Sequence, residues 1–139
     1  MPAFHPLVDY LNFVSMAFAI PIATFDCERI VGGITVRQAD GSEVYETFQG
    51  EIEHPAPGET VFADEGGYAH SRRWTYRQGA RSVVTASTDR ALIVVEALHD
   101  SARHDILELE NELRSGLTDA GVRLVGSTNV SSVERRFDF

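Results

Sequence analysis

The 139-residue sequence contains no lysine: all twelve of its basic residues are arginine, against twenty-one acidic ones, for a formal charge of −9. A chain so acidic does not bind nucleic acid by bulk attraction, because neutralising phosphates takes several well-placed cations. The single cysteine, Cys27, excludes an internal disulfide and fits a reducing compartment. No apolar run approaches the ~20 residues that a membrane-spanning helix needs. The opening stretch "MPAFHPLVDYLNF" has no basic segment ahead of an apolar core, so a secretory signal is not expected. The expectation is a cytoplasmic protein with no membrane partner. The histidines at 5, 54, 70, 99 and 104 show no metal-ligand spacing, so neither a metal nor a cofactor is expected.

What is present is organised. The length suits one domain burying roughly two thirds of its unfolded-chain surface. That domain is expected over residues 1–125. A polar tail over 126–139, ending "FDF", is either disordered or docked on a partner. Charge is segregated along the chain: residues 40–65 hold eight carboxylates and no cation, whereas 70–90 hold five arginines and one aspartate. Such separation gives the molecule an electrostatic front and back.

Leu7, Leu11, Val14 and Phe18 recur at helical spacing over 6–19, with Pro6 suited to a first turn and Pro21 closing the helix. "ITVRQ" (34–38) reads as a strand, "ADGSE" as a hairpin turn and "VYETF" (44–48) as the return strand. "HPAPGE" (54–59) is a stiff connector, followed by the strand "TVFAD" and the turn "EGG". Residues 69–77 alternate as one extended strand, placing His70, Arg72, Trp74 and Tyr76 on one face and Ser71, Arg73, Thr75 and Arg77 on the other. "RSVVT" returns after a turn at Gln78-Gly79. "ALIVVEAL" (91–98), apolar on both faces, reads as a central strand. Ser101 is placed to cap a helix reaching about Ala120, with Ile106, Leu109, Leu113 and Leu117 on one side and Gly121 as its stop. "VRLVG" adds a further strand. Two helices flanking about seven strands make an α+β domain of mixed or antiparallel sheets.

Two features bear on chemistry. Glu96 shares strand parity with Leu92, Val94 and Leu98, so it points to an apolar face, where desolvation turns a carboxylate into a useful general base. The alternative is a buried glutamate paired with an arginine. The arginine-rich stretch "HSRRWTYRQGAR" (70–81) offers Arg73 and Arg77 as a fork for phosphate or carboxylate, and Arg72, Trp74 and Tyr76 as a stacking surface. The alternative is that these arginines pair with the carboxylates of 40–65 and hold two hairpins together. Cys27 reads as a small buried hydrophobe.

"NFVSMAFAIPIATFD" (12–26), followed by "GGITVRQADGSE" (32–43), resembles the editing, tRNA-binding-like domain in the β subunit of bacterial phenylalanyl-tRNA synthetase. "PGETVFADEGGYAHSRRWTYRQGARSVVTASTDRALIVVEAL" resembles freestanding relatives of that domain, in which an Arg-Arg-Trp-x-x-Arg-Gln segment is common. The resemblance runs from about His5 to the last helix. It implies a compact α+β domain whose pocket hydrolyses the ester between a wrong amino acid and tRNA. In the family an asparagine, a histidine and a glutamate line that pocket. Asn12 matches the asparagine and Glu96 the glutamate, while Ala23 stands in the histidine position and Leu11 in a neighbouring threonine position. His70 is the imidazole that another strand could supply.

Three readings follow. The first is an esterase acting in trans on mischarged aminoacyl-tRNA, with Glu96 or His70 activating water and Asn12 helping to hold the carbonyl. The second is a gatekeeper that hydrolyses or binds a small amino-acid conjugate beside a ligase or other biosynthetic partner enzyme. The third is a non-catalytic module that binds tRNA or protein. The sequence does not state an oligomeric form.

Overall fold

A computed structural model describes residues 6–73, 77–96, 102–124 and 126 of the chain. Two units divide it, residues 1–96 and 97–139. The class is α+β, as expected, and every strand ladder is antiparallel.

In the first unit, helix α1 spans Pro6–Phe18. Proline at its first position costs nothing, because that N–H has no intrahelical partner. Leu11 and Val14 form its buried stripe, whereas Asn12, Phe13 and Met16 are exposed. The helix stops where Ala19 turns left-handed (φ 54°) and the Ser15 hydroxyl donates to the Ile20 carbonyl at 2.6 Å, before Pro21. Strand β1, Ile22–Asp26, follows, then a 3-10 turn, Cys27–Arg29, started by the Asp26 carboxylate accepting from the Glu28 N–H at 3.0 Å.

The remaining strands are β2 (Ile34–Gln38), β3 (Tyr45–Glu46), β4 (Ile52–Glu53), β5 (Thr60–Asp64), β6 (Ala69–Arg72), β7 (Arg77–Gln78) and β8 (Ala91–Val95). They form a four-stranded sheet in the order β2-β5-β6-β7 and two two-stranded ladders, β1-β8 and β3-β4. Ala23 and Phe25 of β1 pack with Phe62 of β5, joined by Ile30, Ile34, Leu92 and Val94. A second cluster gathers Ala39, Tyr45, Val61, Ala63 and Ala69.

Five expectations give way here. Strand β2 pairs with β5 across the connector, not with 44–48, although the turn chemistry at Gly41 (φ 97°) is as expected. The buried Glu43 carboxylate takes the Asp40 and Gly41 N–H groups, both at 3.1 Å, together with Arg37, and so turns the chain out of the sheet. Residues 69–77 are not one strand: Arg73 adopts φ 50° and the chain doubles back, so that β6 and β7 pair as a hairpin. Residues 82–85 accordingly form no strand. Strand β8 belongs to a two-stranded ladder rather than the centre of a sheet. Among the described residues of "VRLVG" there is no strand.

The second unit contains α2, Ala102–Asp119, with Leu109, Leu113 and Leu117 buried at helical spacing. Gly121 (φ 83°) ends it, with Val122 N–H bonded back to the Leu117 carbonyl at 2.9 Å. Ser101, Trp74, Tyr76, residues 97–100 and nearly all of the expected tail lie outside the described residues. No helix among the described residues is long and apolar enough to cross a membrane.

Candidate functional site

The sequence-selected residues fall into three places. The first is the β1-β8 ladder, paired in register Ile22↔Val95, Ala23↔Val94, Thr24↔Ile93 and Phe25↔Leu92. Directly opposed residues share a face, so Ala23, Phe25, Leu92 and Val94 line one apolar wall. Ala23 is 1% exposed within it. Glu96 follows the last residue of β8, half-buried, with one carboxylate oxygen out of solvent. The ladder therefore brings Glu96 to the end of the strand that carries Ala23's partner. Asn12 lies on α1, exposed, one residue from the buried Leu11.

The second place is beneath Phe25. His70 is fully buried on β6, with its ring edge-on to Phe25 at 6.0 Å between centroids. Its Nε2 lies 2.7 Å from Asp64 Oδ2 and its Nδ1 2.8 Å from the Ser82 hydroxyl. A carboxylate only accepts, so Nε2–H donates to Asp64, and neutral Nδ1 accepts from Ser82. Burial, the largest influence, lowers the His70 pKa from its ordinary 6.5, although Asp64 pulls the other way. Burial would likewise raise the Asp64 carboxyl, but His70 and the N–H groups of Val31 and Tyr68 outweigh it and hold it below its ordinary value. The same carboxylate takes Val31 N–H at 3.0 Å, Gly66 N–H at 2.9 Å and Tyr68 N–H at 3.0 Å. Serine, histidine and aspartate thus form a chain of hydrogen bonds in which the serine is sealed from solvent and both ring nitrogens are engaged. This chain ties β5, β6 and the 80–84 loop together. Ser82 also accepts the Asp26 N–H through its carbonyl at 2.8 Å, attaching β1 to the same point.

The third place is the arginine stretch. Arg72 donates from Nε and Nη2 to the two oxygens of Glu59 (2.7 and 3.0 Å) and from Nη1 to Glu53 (2.8 Å). Arg77 reaches the same Glu53 oxygen at 3.3 Å. Both guanidinium groups lie over the buried Tyr45 ring, at 5.4 and 5.3 Å from its centroid. The Arg72 hydrogen bond, more than any other influence, holds the Glu59 carboxyl below its ordinary value. Arg81 stacks on Tyr68 at 3.5 Å and lies 3.7 Å from Glu46. Arg73, 69% exposed at the turn, stands 3.7 Å from Glu59. Next to Arg77, the Gln78 side-chain amide donates to the Thr24 carbonyl on the open edge of β1, while the Gln78 carbonyl accepts from Tyr45 Oη at 3.1 Å. Arg72 and Arg77 are thereby locked onto β4 and the connector that follows it.

Sequence reasoning did not single out Asp64, Ser82, Tyr45, Glu53, Glu59 or Gln78. The segregated charge blocks were the one signal for the glutamates. On α2, His104, Asp105 and Glu108 place ligand-type atoms within 4.8 Å of one another, around a His104–Glu108 contact of 3.1 Å. His104 and Glu108 are exposed, in an i, i+4 arrangement common on helix surfaces.

These elements define a small α+β domain in which a carboxylate ends an apolar ladder and a salt-bridged arginine hairpin supports the ladder's edge. The sequence profile of the B3/4 domain matches residues 1–117, and the chain belongs to that family. It is similar to the phenylalanine–tRNA ligase beta subunit of Corynebacterium efficiens, at 37% identity over 59 residues. That match covers 42% of this chain and 7% of the relative, so the chain corresponds to a small part of that protein.

Proposed function

We propose that this B3/4 domain is a quality-control hydrolase of the synthetase-editing type, cleaving in trans the ester that joins an amino acid to tRNA. The observation that carries the reading is Glu96, a half-buried carboxylate at the end of the strand that pairs with Ala23. In this reading water attacks the ester carbonyl while Glu96 accepts its proton. The carbon–oxygen bond to the ribose then breaks, and the departing hydroxyl takes the proton back. Asn12 and backbone N–H groups steady the carbonyl oxygen as it gains charge. Ala23 carries no ionisable group, and both His70 nitrogens are engaged elsewhere, so the proton transfers fall to Glu96. The C. efficiens relative, a phenylalanine–tRNA ligase subunit, supports an aminoacyl ester as the substrate.

The test is deacylation of correctly and incorrectly charged tRNAs at low salt. Glu96→Gln is expected to slow release of the amino acid by about 100-fold or more, the usual worth of a positioned base, with little change in melting temperature. Folded wild-type protein that releases nothing refutes the reading. A Glu96→Gln variant that melts early but keeps its specific activity makes Glu96 structural.

A further inference from the structure

We propose that this domain recognises chiefly the aminoacyl end of its substrate, so that its ligand class is a small aminoacyl ester and the polynucleotide body adds little to binding. The inference rests on the hydrolytic reading above.

Binding a polyanion requires cations that are free to meet phosphate. Among the described residues of the first unit, the arginines are committed elsewhere or offset, and in the second unit Arg123 is exposed. Arg37 is bonded to the buried Glu43. Arg72 holds Glu59 with two bonds and Glu53 with a third, and Arg77 shares Glu53. Arg81 lies between the Tyr68 ring and Glu46. Arg114 stands 3.5 Å from Glu110. Arg29 donates from Nε to the Arg81 carbonyl and follows the exposed Glu28, and Arg90 follows the exposed Asp89. Arg73 is the most available cation of the 70–81 stretch, and it lies 3.7 Å from Glu59.

These partners are not exchanged freely. Pulling Arg72 onto a phosphate leaves Glu59, whose side chain is 12% exposed, charged and deprived of its two-bond partner. Asp9, Asp40, Glu51 and Glu65 are also exposed, and each repels phosphate. The arginine hairpin is therefore spent on the fold. The strand that leads to Glu96 is apolar: Leu92 and Val94 pack with Ala23, Phe25 and Phe62 and offer nothing to a phosphate.

The experiment compares one amino acid in two carriers. Misacylated tRNA is used intact, and as the 3′-aminoacyl-adenosine released from it by nuclease digestion. kcat/KM is measured for both between low and moderate salt. Each phosphate neutralised on a single strand steepens the log–log salt dependence by about 0.7. The expected result is a preference for intact tRNA below about tenfold and a salt slope shallower than about −1, one contact or fewer. A larger preference, or a steeper slope, overturns the inference and leaves the hydrolytic reading standing. Failure of wild-type protein to hydrolyse either carrier overturns the hydrolytic reading, and this inference with it.

Discussion

Replacing Arg72 by methionine separates a brace from a ligand clamp. Methionine preserves much of the apolar stem, so the loss is mainly electrostatic. Three charge-assisted hydrogen bonds go, at 2.7, 3.0 and 2.8 Å. Glu53 keeps Arg77 at 3.3 Å and is 36% exposed, so its share is small. Glu59 keeps only Arg73, at 3.7 Å, and is mostly buried, so most of the cost falls there. Stranding one member of a fully buried pair costs about 3–5 kcal/mol. Partial rescue by Arg73 and by water reduces the expectation to about 2–3 kcal/mol, or a fall of about 1 M in the urea midpoint with the slope unchanged. Arg73→Met, at an exposed position, is expected to cost under about 0.5 kcal/mol. In the double variant Arg72→Met/Glu59→Gln no charge is stranded, so a coupling of about 1.5 kcal/mol is expected between the two sites. Equal costs for Arg72→Met and Arg73→Met, or zero coupling, refute the brace.

Two further outcomes follow from the same geometry. Because His70 in the folded state titrates below its ordinary 6.5, the unfolded chain takes up that proton first as the pH falls. Stability therefore declines below about pH 6.5, with a slope of up to about 1.4 kcal/mol per pH unit for this group, and His70→Gln is expected to flatten that decline between pH 6.5 and 5. Identical slopes in the two proteins refute the assignment of a neutral, buried imidazole. The carboxyls of Asp64 and Glu59, held below their ordinary values, contribute stability that is present above those values and lost as the pH falls through the lowered ones. Gln78→Ala removes the side-chain donor to the Thr24 carbonyl, worth about 1 kcal/mol, and is expected to speed amide exchange about fivefold over residues 22–26 and 91–95. Exchange in the β2-β5 pair is expected to stay as it was; a uniform change across both sheets refutes a local tie.

Parts of this structure could be read in the sequence because local rules settle them. The periodicity of Leu11 and Val14 between Pro6 and Pro21 marks α1, and Leu109, Leu113 and Leu117 before Gly121 mark α2. The strand at 60–64 announces itself between the proline-rich connector and the Glu65-Gly66-Gly67 turn. β1 does not: "IATFD" is short, shows no alternation, and has its partner β8 far along the chain. The turn at Asp40-Gly41 shows the limit of local chemistry. Gly41 takes the left-handed conformation expected of it, yet the ladder closes from Ala39 N–H to the Glu59 carbonyl at 2.7 Å, a pairing that no turn signal near residue 40 encodes. Strand parity set Leu92 and Val94 on one apolar wall, but the strand ends at Val95, so parity does not carry on to Glu96. The Asp64–His70–Ser82 chain was not legible, because Ser82 meets His70 only after the hairpin at Arg73 has turned the strand back.

Under the proposed hydrolytic function, that hairpin also complicates how loss of activity is to be read in arginine variants. Gln78 follows Arg77 directly and holds the Thr24 carbonyl, one residue from Ala23. Loosening the brace at Arg72 therefore reaches the β1 wall through the sheet, without any contact to a ligand. An arginine variant with reduced hydrolysis is thus compatible with a lost phosphate contact and with a loosened ladder. Salt separates them. A lost phosphate contact weakens the reaction most at low ionic strength and flattens the salt slope, because the missing interaction is the one that salt screens. A displaced β1 edge lowers kcat by a similar factor at every salt concentration and leaves the slope alone. The pattern expected for Arg72→Met is the second: activity falls in parallel for intact tRNA and for aminoacyl-adenosine, and a loss confined to intact tRNA at low salt shows that Arg72 meets the nucleic acid after all.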